Sequence, residues 1–246
     1  MYQICLLFMK FLLFSMIGYV VEMIMCAIVD KKIANRGFFC GPIIPIYGVG
    51  SLLLIWILKP FRENILLVIL LSMLITTTIE YFTGYALEKI FHNKWWDYSK
   101  EKFNLHGRIC LKNTVLFGIG GPIILYILNP YMNDFLIQFK NSTLIAVTIF
   151  LFIIFLLDVT YSCIVAYNLR HRLIVVEDLK NEKLSKIPGM LERMLTSRVK
   201  GMKKFPKRLL KAFPTLWKSH PKEFEIMKKI EEKNKKSKKM KKNRKK

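Results

Sequence analysis

Acidic residues are scarce in this 246-residue chain: 17 Asp and Glu stand against 40 Lys and Arg, for a formal net charge of +23. The four histidines do not cluster at metal-ligand spacing, and no HExxH, Cys/His zinc spacing or GxSxG is present. No Gly-rich phosphate loop ending in GK and Ser or Thr occurs, nor a dinucleotide fingerprint. The five cysteines (Cys5, Cys26, Cys40, Cys110, Cys163) are odd in number and scattered, which excludes a disulfide scaffold. Metal, cofactor and nucleotide chemistry are therefore not expected of this chain, and it does not read as an enzyme. Collagen-like, coiled-coil and wholly disordered compositions fit no better.

What is abundant is apolar sequence, 53% of residues. Charge and apolarity lie in different places. Through Tyr167 there are 13 Lys/Arg and 9 Asp/Glu, a net of +4; from Asn168 onward there are 27 and 8, a net of +19. The chain thus divides into an apolar body, 1–167, and a basic tail, 168–246.

The body contains five apolar runs: Leu6–Val29, Ile43–Leu58, Ile65–Leu87, Thr114–Leu128 and Leu144–Tyr167. The first, third and fifth have the 23 or 24 residues that cross about 30 Å of hydrocarbon. The second and fourth have 16 and 15 residues, which cover only about 22–24 Å at helical rise. The expected fold is an all-α membrane bundle of five transmembrane helices, two of them short. The first run contains Glu22 and lacks a small-residue cleavage site, so it reads as a span and not as a signal peptide. Lysines and arginines gather between the first and second runs, between the third and fourth, and in the tail; Lys59, Arg62 and Lys140 are on the other side, with Lys10 near it. The positive-inside rule then puts the C-terminus in the cytoplasm and the N-terminus outside, in a bacterial inner membrane.

Two segments repeat. GVGSLLLIWILKP (Gly48–Pro60) aligns with GIGGPIILYILNP (Gly118–Pro130) at an offset of 70, and an offset of 58 aligns Glu22 with Glu80 and Asp30 with Glu88. A helix–loop–helix unit present twice in parallel orientation follows. In transporters, short or Gly/Pro-interrupted spans at matching places in two halves mark the binding site; here these are the second and fourth runs.

Glu22, Glu80 and Asp158 each sit inside an apolar run, at similar depths about 10–14 Å from the cytoplasmic end. An ionisable group at such depth is costly unless paired or hydrated, and it marks function. Two arrangements compete: a polar cavity near the cytoplasmic side in which the acids bind a cation, a proton or a polar substrate, and a static lock in which they pair with Arg36 and Arg108. The first loop, NRGFFCGPIIPIYGVG (Asn35–Gly50), reads as a packed or partly re-entrant turn. Its Gly37 and Gly41 permit positive φ or close backbone approach, while Pro42 and Pro45 delay helix entry to about Ile46. The second loop, Glu88–Asn113, carries Trp95, Trp96, Tyr98 and Phe103 for the interface, and Asp97, Asn104, His106 and Arg108 as convergent polar groups; Asn104 suits a capping role and Gly107 aligns with Gly37.

NRGFFCGPIIPIYG at 35–48 and IEYFTGYALEKIF…WWDYS…FNLHGRICL from Ile79 to Leu111 resemble a family of bacterial integral membrane proteins, the type IV ABC-transporter permeases (CmpB-like). The resemblance covers Phe11 to Leu128 and, more weakly, the fifth run; the tail is outside it. Its motif positions are Arg36, Gly37, Gly41, Pro42, Tyr47, Glu80, Trp95, Asp97, Tyr98, Asn104, Gly107 and Arg108. It implies a membrane permease, with a separate ATPase subunit because this chain has no nucleotide loop.

In the tail, Pro206 and Pro214 interrupt short amphipathic segments that suit an anionic inner leaflet, and the final lysines read as disordered. Nucleic acid suits the same charges less well, since no recognition motif accompanies them. The functional readings are a permease-like transporter of a small or polar substrate, alone or as a homo-oligomer; a lipid- or partner-binding membrane protein that transports nothing; and an intramembrane lipid-modifying enzyme.

Overall fold

The computed structural model describes residues 1–29, 37–91 and 94–181. Arg36, Asp30 and the tail beyond Asn181 lie outside the described residues. The chain divides into two compact units, Met1–Ser162 and Cys163–Lys246; the account below concerns the first.

Helix α1 spans Tyr2–Val29, α2 Pro45–Leu58 and α3 Ile65–Phe91. A two-stranded hairpin follows, β1 (Asn104–Leu105) antiparallel to β2 (Ile109–Cys110). Then come α4 (Leu111–Pro122), a π-helical segment (Ile123–Leu128), α5 (Asn129–Ile137) and α6 (Asn141–Asn181). Among the described residues, four helices are long and apolar enough to cross a membrane: Tyr2–Ile28, Ile65–Ile90, Leu111–Ile137 and Asn141–Tyr167. The fifth apolar helix, Pro45–Phe61, is shorter. The helix α6 does not stop at Tyr167, where the body was expected to end, but continues to Asn181.

The fourth run corrects an expectation. Its glycines and Pro122 suggested an interrupted, short span, yet helix continues on both sides to make 27 residues. Proline lacks the N–H that would continue the i→i−4 ladder, and the π-helical turn at Ile123–Leu128 widens the ladder locally and carries it on. The Tyr126 hydroxyl in that turn donates to the Arg62 carbonyl at 2.6 Å and ties it to the α2–α3 connection.

The second run is short for a different reason. The Ile44 amide donates to the Ser15 carbonyl at 3.1 Å, opposite the middle of α1, so the chain has turned back along α1 before α2 begins. The loop segment before α2 is packed along α1, and Pro45 occupies the first helical turn of α2, where a missing N–H costs nothing. Irregular backbone at that depth needs internal partners, and it has them: Ser15 O for Ile44, and the Asp158 carboxylate of α6 for the amides of Cys40 (2.9 Å) and Gly41 (2.8 Å).

Helix α1 packs chiefly on α2 and α3 on α4, with α2 against α3 joining the pairs. Glycine sets the closeness of the first two contacts. A Cβ on Gly48 would stand 2.6 Å from the Phe11 carbonyl oxygen, and one on Gly118 would run into Met73 and lie 3.5 Å from the Ile69 carbonyl. An apolar core of Leu54, Leu58, Val68 and Leu125 joins α2, α3 and the π segment. Phe155 of α6 meets Phe8 and Phe11 of α1 edge-on, at 5.9 and 5.5 Å between centroids.

Candidate functional site: paired carboxylates beneath an aromatic loop

The Tyr47 ring lies against Gly18 of α1, where a Cβ would meet its Cδ2 at 2.6 Å, and its hydroxyl donates to Glu22 Oε1 at 2.8 Å. Gly18 and Glu22 are four residues apart and share a helix face, so the glycine makes the recess and the acid closes its far end. Tyr47, in the opening turn of α2, is thus the residue by which that helix meets the carboxylate.

Glu80 of α3 is buried, with 6% exposure. The Tyr98 hydroxyl, from the loop, donates to Oε1 at 3.1 Å. Asn113 of α4 stands beside the same carboxyl, yet among the described residues Oε2 is buried without a hydrogen-bond partner. The two acids are neighbours: Glu80 feels the charge of Glu22, and Tyr47 and Tyr98 each feel both carboxylates. Tyr47 also contacts Phe117 of α4 edge-on at 6.4 Å. Two acids from separate helices, two phenol donors and an unmet acceptor oxygen thus form one cluster. Burial foremost, and then the Glu80 charge, raise the Tyr98 phenol above its usual value of 10.0, so it remains a proton donor to the carboxylate.

The loop is built to deliver Tyr98. Its amide donates to the Gly107 carbonyl at 2.8 Å. Asp97 Oδ1 accepts from the Ser99 amide (3.1 Å) and from the Ser99 hydroxyl. Asn104 donates to the Glu101 carbonyl at 2.8 Å and accepts from the Gly107 amide at 3.1 Å; it braces the hairpin turn and caps no helix, the N-cap of α4 being Cys110. Gly107 adopts φ +69°, which suits glycine. Asp97 and Asn104, the convergent polar groups of the second loop, are thus engaged in holding that loop. Trp95 is buried and meets Phe38 of the first loop at 5.0 Å, so the two loops touch.

Arg108 does not pair with Glu80. Its guanidinium bonds Glu88 Oε2 at 2.7 and 3.1 Å and lies over the Tyr81 and Tyr85 rings at 5.4 and 5.3 Å. Tyr81, Tyr85 and Glu88 recur at helical spacing on one face of α3, a pattern present in the sequence but overlooked. Trp96 donates from Nε1 to the Arg108 carbonyl at 2.8 Å and packs on Gly84.

Asp158 of α6 is engaged by the first loop. Besides the Cys40 and Gly41 amides it accepts from Ser162 Oγ at 3.0 Å. Gly41 serves here by close approach, since a Cβ would lie 3.0 Å from Asp158 Oδ2, and it does not take positive φ. Gly37 is buried and Pro42 exposed, both in the re-entrant turn. Gly18 and Asn113 were missed; a glycine one turn from an intramembrane acid was the available signal for the first. Among the described residues no group of three or more His, Cys, Asp or Glu is placed to hold a metal ion.

Long apolar helices, a loop re-entering between them and acids at membrane depth define a multi-pass membrane protein of transporter type. The chain belongs to the family described as "Putative ABC-transporter type IV", whose profile matches residues 9–163. That span takes in both re-entrant and aromatic loops and all three intramembrane acids. No curated protein and no solved structure matches the chain.

Proposed function

We propose that this chain is the membrane-embedded permease component of a bacterial inner-membrane transporter, and that its substrate-handling site is the Glu22–Tyr47–Glu80–Tyr98 cluster. The observation that carries the reading is Glu80 Oε2, a buried carboxylate oxygen with no hydrogen-bond partner among the described residues, in the field of a second carboxylate. A static helix lock would satisfy that oxygen; an acceptor left open suits a cation, a proton or the donor group of a polar solute. The re-entrant entry of α2 adds support, because broken helices whose N-termini meet a site at membrane depth recur in transporters. Energy would come from a separate ATPase subunit, and five apolar helices are few to enclose a path, which supports assembly with a second copy. The lysine distribution supports an outside N-terminus and a cytoplasmic C-terminus.

The duplicated architecture belongs to the same proposal. Gly48 packs on Phe11 and Ser15, and Gly118 on Ile69 and Met73. Offsets of 70 and 58 convert the first set into the second, the same offsets that align the sequences. Tyr47 and Phe117, equivalent under the repeat, touch each other, as residues beside a pseudo-two-fold axis do.

A second reading, a membrane protein that binds partners without transport, draws on Asp158 and Arg108, both engaged in structural contacts. Reconstitution in proteoliposomes separates the two. With pH- and cation-sensitive dyes inside, the wild type, co-purified with its ATPase subunit, should move charge or protons, and Glu80→Gln should abolish the flux while retaining membrane insertion. Flux in Glu80→Gln equal to wild type overturns the site.

A further inference from the structure

We propose that the groove beside the hairpin is a specific site for an anionic glycerophospholipid of the cytoplasmic leaflet. The groove is open, with a volume of about 770 Å³, and its lining includes neither Glu22 nor Glu80. Lys100, Lys102 and Lys112 line it with the single acid Glu101, so its polar rim carries excess positive charge. Leu111, Val115 and Leu116 continue it down α4 as an exposed apolar wall. Three lysines above an aliphatic strip match a phosphate head with its acyl chain running down the helix. Basic pockets on the cytoplasmic side of spanning helices take anionic lipid heads in this manner.

Two features distinguish the groove from a merely basic surface. First, Lys100 and Lys102 are displayed on a pre-organised loop and Lys112 on the first turn of α4. Asn104 pins the Glu101 carbonyl, the Glu101 amide donates to the Tyr98 carbonyl at 2.8 Å, and the Leu111 amide donates to the Phe103 carbonyl at 3.2 Å. Little ordering remains to be done on binding. Second, Phe103 between them holds φ +52°, a left-handed conformation unfavourable for an aromatic residue, and its ring is 81% exposed. A bulky ring held out at backbone cost, between lysines at the membrane face, suits insertion among lipid glycerol groups. The site does not depend on the transport reading: its three lysines and its apolar wall are distinct from the Glu22–Tyr47–Glu80–Tyr98 cluster, which the groove adjoins where the Glu101 amide bonds the Tyr98 carbonyl.

Native mass spectrometry of the full-length detergent-solubilised protein, titrated with phosphatidylglycerol or with phosphatidylcholine of the same chains, tests it. Phosphatidylglycerol should be retained in preference to phosphatidylcholine. Combining Lys100→Gln, Lys102→Gln and Lys112→Gln should remove one retained lipid or weaken its binding about tenfold or more. The charge-matched control Lys241→Gln, Lys242→Gln, Lys245→Gln in the tail should leave that lipid in place. Phe103→Asn, which keeps the left-handed backbone and removes the ring, should shorten retention. Equal retention of phosphatidylcholine, equal loss in the tail control, or displacement by inorganic phosphate at low millimolar concentration would each overturn a phospholipid site.

Discussion

The Tyr98 hydroxyl reaches Glu80 at 3.1 Å, so a residue of the loop closes a polar cluster that two membrane helices begin. The contact couples the loop's fold to the deepest charged group of α3. Tyr98→Phe leaves the second oxygen of a buried carboxyl unpartnered and should lower stability by about 1–3 kcal/mol, read as a fall in melting temperature in detergent. The pH profile carries the same information. A phenol whose folded-state pKa is raised stabilises the fold fully below the unfolded value near 10 and loses that contribution as pH climbs toward the folded value. Wild-type stability should therefore decline above about pH 10, and Tyr98→Phe should decline less steeply.

Glycine substitutions test the helix pairs with an internal control. Gly48→Ala would press a methyl into the Phe11 carbonyl and should cost about 2 kcal/mol or more. Gly118→Ala faces chiefly the flexible Met73 side chain and should cost less. A Cβ at Gly50 or Gly120 meets nothing within 4 Å, so alanine there should be neutral or stabilise by up to about 1 kcal/mol. Thermal unfolding of the four variants reads the order directly.

Arg108 and Glu88 should couple where Arg108 and Glu80 do not. The ion pair is largely buried, with side-chain exposures of 16% and 31%. A double-mutant cycle of Arg108→Gln with Glu88→Gln should give an interaction of about 1–2 kcal/mol, against near-additivity for Arg108→Gln with Glu80→Gln. Arg108→Lys should not rescue, since lysine lacks the planar fork and stacks less well on Tyr81 and Tyr85.

Asp158→Asn should loosen the re-entrant turn specifically. Its carboxylate serves two amides at once, and a neutral amide oxygen is the weaker acceptor. Hydrogen exchange at Cys40 and Gly41 should accelerate by about tenfold or more, equivalent to about 1.5 kcal/mol, while exchange in the hairpin at Asn104–Cys110 stays unchanged.

Much of this architecture follows from the chain alone. Runs of apolar residues determine helices because hydrocarbon permits little else, and the depth of Glu22 and Glu80 follows from helical rise. The local turns around Asp97, Asn104 and Gly107 are legible too, since their partners are a few residues away. Tertiary structure decided the rest. Asp158 recognises backbone amides, which have no residue signature, so no sequence pattern could name Cys40 and Gly41 as its partners. Pro122 reads as a break, and only the π turn beyond it carries the helix through to Ile137. Glu80 and Arg108 looked like natural partners by charge, yet the hairpin turns Arg108 toward Glu88 and brings Tyr98 to Glu80 instead. Pairing depends on where the chain folds back, and that is set by packing between helices distant in sequence.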